Sequence, residues 1–414
     1  MTLKEPEYGS GSRAIPINSP SDIKYIRITD FSDDGIPPNH EFVTAETVEY
    51  KYNLEPEDIL FARSGATAGK TFIYTADIGE AIFAGYCIRF QFNGMEVMPK
   101  FVYFYTKTQR YKSWVNSIQR PSGQPNINKE EFKSFTIPLP SFEIQRSLVA
   151  EIEAARQTRK QKLAQADELL SSLDTYLLAQ LGLSAPEESD KKVFAVKLGK
   201  IKRGRLDPKF ALSKEQEAGR FHTTELADLV TSEPEYGSGS RAVPLRARED
   251  IKYIRITDFD DNGIPPGHEF VSAEIIDSEY SLEHEDILFA RSGATAGKTF
   301  IYTEDIGLAI FAGYCIRFRF NQNLVLPWFV YFYTKTSLYK AWVNSIQRPS
   351  GQPNINKEEF KSFRIALPLI DVQRTLITEM QRRRLEAQQL RQEAETEWEV
   401  AKSRFECKLL GEDA

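Results

Sequence analysis

The most chemically suggestive stretch of this 414-residue chain is Gly65-Ala-Thr-Ala-Gly69-Lys70-Thr71, which recurs at Gly293–Thr299. A phosphate-binding P-loop places four residues between its first glycine and the Gly-Lys-Thr, and opens a helix whose N-terminus faces phosphate. Here three residues intervene, Ser64 stands in the glycine's place, and the following Phe72-Ile-Tyr74 is strand-like. No later strand ends in a carboxylate of the Walker-B kind, so nucleotide hydrolysis is set aside. What remains is a tip between two strands, carrying Arg63, Ser64, Thr67 and Lys70, with glycines that allow close backbone approach.

Two further loops have related chemistry. Tyr8-Gly-Ser-Gly-Ser-Arg13 ends in arginine, and Gln119–Asn128 is rich in amide side chains. Arginine bridges guanine O6 and N7, and Asn or Gln bridges adenine N6 and N7. Lysine, serine and backbone amides more often hold phosphate. The glycines and prolines in these loops are read as turn residues serving the backbone. Other chemistries find little support. The four histidines include His40 and its repeat equivalent His268, both in a Pro-Pro-Xaa-His loop and expected at the surface. The three cysteines, Cys87, Cys315 and Cys407, lack disulfide or metal spacing and suit a reduced, cytoplasmic protein. There is no Gly-x-Ser-x-Gly elbow, and no Asn- or Asp-Pro-Pro-aromatic tetrapeptide of the amino-methyltransferase kind. The pattern is that of a binding subunit, with no catalytic or metal residues assigned.

The elements that position these loops come twice. Glu5–Arg146 aligns without a gap to Glu233–Arg374, and several blocks repeat verbatim, among them DILFARSGATAGKTFIYT and NSIQRPSGQPNINKEEFKSF. A period this long signals two copies of a whole domain, not a solenoid of small repeats. Within a copy, strands are expected at Lys24–Phe31, Asp58–Arg63, Lys70–Tyr74, Ala81–Phe92 and Ser134–Leu139, all rich in β-branched and aromatic residues. Pro99–Val115 reads as one helix with Phe101, Tyr105, Thr108, Tyr111 and Val115 on one face, taken as core packing and not as a base-stacking platform.

After each copy the composition turns to Glu, Gln, Arg, Lys, Leu and Ala. Ile144, Leu148, Ile152, Ala155, Leu163, Ala166, Leu170, Leu173, Leu177 and Leu181 step by mostly three and four. Val372, Leu376, Met380, Leu390, Ala394, Trp398, Ala401, Phe405 and Leu409 do the same. A long helix with one apolar stripe needs a partner, and the nearest is the other helix, so an intramolecular coiled coil is expected. The segment Phe194–Ser232 precedes the second copy and has no counterpart before the first. The expectation is a truncated chain, or a missing piece supplied from elsewhere.

Length and composition (41% hydrophobic, 27% charged) suit two to three globular domains, and exclude global disorder, a collagen-like fibre and a disulfide scaffold. No apolar run approaches a membrane span or a signal peptide's core. The net charge of −6 by itself argues against nucleic acid. The acidic excess, however, includes the helices and linker, and a DNA face needs only local positive charge from Arg13, Arg63, Lys70, Arg120 and their copies. The chain alone is therefore expected to bind DNA weakly.

In order, Asp58-Ile-Leu-Phe-Ala-Arg-Ser-Gly-Ala-Thr-Ala-Gly69, Gln124-Pro-Asn-Ile-Asn128, Phe135-Thr-Ile-Pro-Leu-Pro140 and Ile144-Gln-Arg lead into the long helix. All recur in the second copy, where Phe363-Arg-Ile-Ala-Leu-Pro368 has alanine for the first proline. On these motifs the chain resembles the specificity (S) subunit of type I restriction–modification enzymes. The resemblance implies an α+β chain with two duplicated mixed target-recognition domains, separated by two long α-helices forming an antiparallel coiled coil. Residues 1–140 would form the first recognition domain, 141–184 the first helix, 185–193 a linker, 194–368 the second domain and 369–414 the second helix. Because chain ends lie close in the family and tolerate circular permutation, the C-terminal region is a further source for the piece missing before the first copy.

The resemblance further implies a non-catalytic subunit that binds double-stranded DNA and docks methyltransferase (M) subunits, with a restriction (R) subunit as a further partner. Cofactors on this chain would be none, with S-adenosylmethionine held by the M subunits, which flip and methylate adenine. The residues expected at DNA are Ser12, Arg13, Arg63, Ser64, Thr67, Lys70, Arg120 and Gln124, and in the second copy Ser240, Arg241, Arg291, Ser292, Thr295, Lys298, Arg348 and Gln352. Near-identical domains in an antiparallel arrangement are expected to read the same half-site on opposite strands, an interrupted palindrome. The alternatives are the specificity component of a related non-type-I modification system, and a non-DNA coiled-coil adaptor with two identical modules.

Overall fold

The computed structural model describes residues 2–32, 35–37, 40–119, 125–185, 219–247, 250–265, 267–346 and 353–411. The chain divides into two compact units, residues 1–164 with 390–414, and residues 165–389.

In the first unit the strands are β1 (Glu7–Tyr8), β2 (Ala14–Pro16), β3 (Lys24–Ile26), β4 (Val43–Ala45), β5 (Ile59–Ala62), β6 (Thr71–Ile73), β7 (Ala81–Phe83) and β8 (Cys87–Phe90). They form two sheets, β1-β8-β5-β6, which is antiparallel throughout, and β2-β4-β3-β7, in which β3 and β7 are parallel. The helices are α1 (Pro99–Tyr105), α2 (Gln109–Ile118), α3 (Lys129–Ser134) and the long α4 (Phe142–Leu181), whose later part enters the second unit. The run Ile59-Leu-Phe-Ala62 is apolar at every position because β5 is covered on both faces. Ile59 and Phe61 join the core shared with the helices, whereas Leu60 and Ala62 join Ile26, Phe72 and Phe83 in a second core.

In the second unit the later part of α4 is followed, among the described residues, by β9 (Thr223–Glu225). The unit then repeats the plan through β10 (Glu235–Tyr236), β11 (Ala242–Pro244), β12 (Lys252–Ile254), β13 (Val271–Ala273), β14 (Ile287–Ala290), β15 (Thr299–Ile301), β16 (Ala309–Phe311) and β17 (Cys315–Phe318). It closes with α5 (Pro327–Tyr333), α6 (Ser337–Ile346), α7 (Lys357–Lys361), β18 (Arg364–Ala366) and the long α8 (Ile370–Leu410), whose later part lies in the first unit.

The structure corrects several boundaries. The strand expected over Lys24–Phe31 stops at Ile26, because Arg27 N–H turns to the Asp30 carboxylate at 2.7 Å and closes a turn. Ala81–Phe92 is two strands of different sheets, broken at Gly85-Tyr86. Pro99–Val115 is two helices: the Thr106 and Thr108 hydroxyls donate to Tyr103 O and Tyr105 O, ending α1 before Thr108 caps α2. Ser134–Leu139 makes no strand, although its copy does. The aromatic face itself is core, with Phe101, Tyr105, Tyr111 and Val115 all buried.

The long helices pair antiparallel. In the first unit Glu151 meets Lys408 at 2.7 Å and Lys162 meets Glu393 at 2.8 Å, so numbers rise along α4 as they fall along α8. In the second unit Arg383 donates to Ser172 Oγ and lies over the Tyr176 ring. Each helix also grips the domain beside it. Glu406 accepts the Gln109 and Arg110 N–H groups at the start of α2, and Asp174 accepts Ser337 N–H at the start of α6. The apolar seam begins later than the periodicity suggests: Ile144 and Val372 are exposed, and the neighbouring Gln145 and Gln373 are buried instead.

Gln373 earns that place with three hydrogen bonds. Its Nε2 donates to Leu324 O (3.1 Å) and Pro368 O (2.8 Å), and its Oε1 accepts Leu326 N–H (2.8 Å) at the start of α5. Gln373→Ala strands three backbone groups, which is expected to cost about 2–4 kcal/mol. Thermal denaturation checks this, and a midpoint unchanged from the parent chain would refute it.

Candidate nucleic-acid interface

The site is built outward from Tyr8. Its strand pairs with β8 (Tyr8 opposite Ile88), and the next residue must be glycine: a Cβ on Gly9 would lie 2.3 Å from Phe83 O and 2.5 Å from Ala84 O. That close approach lets Ser10 N–H donate to Phe83 O and Gly85 N–H donate to Ser10 O. The Tyr25 hydroxyl then donates to both Ser10 O (2.7 Å) and Ser12 O (3.0 Å), fixing the loop. Ser12 Oγ accepts Thr47 N–H at 2.9 Å, so this serine primarily holds the loop, and Arg13 beside it is exposed. The second unit repeats this with Ser240 Oγ accepting Ile275 N–H and Arg241 exposed.

Arg63 leaves the end of β5 and lays its guanidinium over the Tyr8 ring, 4.7 Å from the centroid; Arg291 does the same over Tyr236 at 4.8 Å. Both Nε atoms are buried without an acceptor. The stacked group is planar, permanently charged and held at its base, and its terminal nitrogens form the fork that suits guanine or phosphate. The Arg63 backbone is tied on both sides, donating to Tyr86 O and accepting Ile127 N–H. Ser64 bridges Asn126, and Ser292 bridges Asn354. The glycine loop and the Pro-Asn-Ile-Asn segment are thus one platform. Within it Asn128 is a helix cap, in a reciprocal capping box with Glu131, whereas Asn126 is exposed.

The Gly65–Lys70 turn spends its own amides. Gly65 N–H donates to Pro125 O, Ala68 N–H to Gly65 O, Gly69 N–H to Ala62 O and Lys70 N–H to Thr67 O. A phosphate cradle needs such groups free and converging, so the geometry agrees with setting the P-loop reading aside. Gly69 has φ +88°, and a Cβ there would lie 2.5 Å from Val115 Cγ1, so the turn is pressed onto α2. Thr67 and Thr295 are half-buried, each hydroxyl 3.4 Å from the serine carbonyl three residues back. Lys70 and Lys298 are half-buried and make no ion pair among the described residues. Arg120, Gln124, Arg348 and Gln352 lie outside the described residues.

Sequence reasoning missed Tyr86 and Tyr314, exposed at 64% and 63% on the turn whose carbonyl receives the Arg63 or Arg291 N–H. The signal was Gly85 inside an apolar run, a mark of a break. It also missed Tyr8 as the support for Arg63, and Asn126. His40 and His268, expected at the surface, are largely buried: each Nε2 sits 3.3 Å from the buried Asp30 or Asp258 carboxylate, off the hydrogen-bonding direction. Burial pushes the Cys87 and Cys315 thiols up, leaving them inert. Burial also raises Asp58 and Asp286, against the pull of hydrogen bonds and of Arg89 and Arg319. No cluster of His, Cys, Asp and Glu suited to a metal occurs among the described residues, and no helix there is long and apolar enough to cross a membrane.

Residues 11–165 and 221–387 match the family model of the type I restriction modification DNA specificity domain. The type I restriction enzyme StySPI specificity subunit of Salmonella potsdam is 23% identical over 350 residues, covering 81% of this chain and 69% of that protein. The EcoKI specificity subunit of Escherichia coli K12 is 21% identical over 358 residues, with the same coverage. Among solved structures, a chain from work on assembly and conformational transition of the type I R-M system superposes with a TM-score of 0.53 at 14% identity. That superposition covers 97% of this chain and 98% of the other, a likeness of fold.

Proposed function

We propose, for a chain that belongs to the type I restriction modification DNA specificity domain family, that it reads a bipartite duplex site whose two half-sites are the same sequence on opposite strands. The observation that carries this reading is the repetition of one recognition platform. Arginine stacked on tyrosine, serine bridged to asparagine and an exposed tyrosine beside them recur with matching distances in the two units. Equal chemistry in both units favours equal half-sites, and helices that pair antiparallel suit an inverted repeat. The chain supplies recognition and no bond-making step. Its M partners dock on the long helices and methylate adenine with their own S-adenosylmethionine, and an R subunit adds restriction.

Sequencing methylated adenines in DNA treated with this chain and its M partner tests the reading. The expected product is an interrupted palindrome, methylated once on each strand. Two unrelated half-sites would overturn the symmetry, and duplex affinity indifferent to salt would remove DNA as the ligand, since phosphate contacts release counterions.

A further inference from the structure

The second unit holds a cavity of about 270 Å³ where the turn at residues 334–336, joining α5 to α6, meets the later part of α4, α8 and the loop at Asp261-Asn262. One side of it is apolar, with Leu170 and Leu173 from α4, Phe332 from α5 and Met380 from α8.

The other side is lined by hydrogen-bond donors that keep unused capacity. The Lys335 ammonium lies 4.5 Å from the centroid of the Tyr331 ring and donates to Thr299 O at 2.7 Å. An ammonium has three N–H groups, and Lys335 makes no ion pair among the described residues. Arg384 lies over the same ring at 5.4 Å and gives one N–H to Asn262 O at 2.7 Å; it too has no carboxylate partner among the described residues. The Ser337 hydroxyl is buried without a partner.

The carboxylates of the cavity are engaged. Asp174 accepts the Ser337 N–H at 3.0 Å, and Asp261 pairs with Lys340 at 3.5 Å. Three cations (Lys335, Lys340, Arg384) face two carboxylates, which leaves one net positive charge. A cation drawn out of water without a counter-ion is destabilising, and an anion seated between Lys335 and Arg384 relieves this. One net charge favours a monoanion over a doubly charged phosphate. The apolar wall favours a hydrocarbon body, and the volume, just below the range of drug-sized pockets, favours a single ring or a short branched chain.

We infer that this cavity binds a small organic acid, its carboxylate against Lys335, Arg384 and the Ser337 hydroxyl, and its hydrocarbon body against Leu170, Phe332 and Met380. In the first unit Gln109 stands at the Ser337 position, so one site per chain is expected. The site shares no residue with the Arg291 platform and its test uses no DNA, so it stands or falls apart from the DNA reading.

Burial lowers the Lys335 ammonium to about 7, with Arg384 and Lys340 pushing the same way and Asp261 and Asp260 opposing. The groups around it are Asp174 from α4, Asp260 and Asp261 from the loop after β12, Tyr331 from α5, Lys340 from α6 and Arg384 from α8. Burial raises Tyr331 further from neutrality, and carboxylates, guanidinium groups and ordinary lysines titrate outside pH 6 to 8. A bound carboxylate favours the charged amine, so above pH 7 binding takes up a proton and weakens as the pH rises.

Calorimetric titration of the full chain at pH 6 with phenylacetate, benzoate and isovalerate tests the site. Saturable binding of at least one of them, one acid per chain, is expected. At pH 8 it should be about tenfold weaker and accompanied by uptake of about one proton, read from the buffer dependence of the heat. The uncharged amide of the same acid should bind about tenfold more weakly or worse. Lys335→Met should remove binding and its pH dependence together. Because that change also deletes the bond to Thr299 O, Arg384→Gln is the second variant, and it should weaken binding by about tenfold or more. No saturable binding of any of the three acids, equal binding of the amide, affinity indifferent to pH, or full affinity in both variants would each overturn the inference.

Discussion

Replacing Arg63 and Arg291 together by alanine is expected to lower affinity for the target duplex by about 10²- to 10⁴-fold, with each single change accounting for about half the loss on a logarithmic scale. A bidentate arginine–guanine pair is worth about 1–3 kcal/mol of discrimination, and the two arginines are placed identically, each stacked on its tyrosine with Nε buried. Losses at separate half-sites add. Arg63→Lys sharpens the test, because it keeps the charge and loses the planar fork. If the side chain reads a base, Arg63→Lys relaxes one position of one half-site in the methylated motif. If it only holds phosphate, affinity falls evenly across sequences and the motif stays intact. Unchanged affinity in the double alanine variant, measured on a duplex of known methylated sequence, would remove this loop from the interface. Tyr8→Leu should act in the same direction and more weakly, by freeing the guanidinium without deleting it.

Much of this was legible in the chain. The duplication is a matter of identity, and the two long helices follow from a stripe repeating every three to four residues. Glycines at 65 and 69, both with positive φ, announce a turn, and the arginine beside it announces charge. What stayed hidden was non-local. Nothing near Arg63 says that Tyr8 lies under it, or that Asn126 lies against Ser64, because a sheet pairing and a bridge bring them together. Tyr86 was lost inside a run that reads as one strand, and the break becomes visible only when its halves join different sheets. His40 misled because its ring lies 3.3 Å from the buried Asp30 carboxylate, a proximity no local pattern reveals. The charge of −6 also has a local explanation. Glu406 and Asp174 accept backbone N–H groups at the starts of α2 and α6, so part of the acidic excess is engaged in holding domains onto helices.

Glycine placement yields the second large effect, since the loop Tyr236-Gly-Ser-Gly-Ser240 contains two glycines with opposite demands. A Cβ on Gly237 would stand 2.4 Å from Phe311 O and 2.5 Å from Ala312 O, both backbone atoms of a buried strand end that cannot swing aside. A Cβ on Gly239 would meet nothing within 4 Å. Gly237→Ala must therefore push the loop off the sheet, breaking the Ser238 N–H to Phe311 O bond and moving Tyr236, the support of Arg291. Overpacking of this kind costs about 3 kcal/mol, enough to lower the second unit's unfolding midpoint by several degrees and to weaken recognition by that unit. Gly239→Ala in the same flexible-looking sequence should leave both stability and methylation unchanged. The pair is measured by thermal denaturation and by methylation of the target duplex. Equal behaviour of the two variants would mean that the loop is held by something other than the close passage of Gly237 against β16.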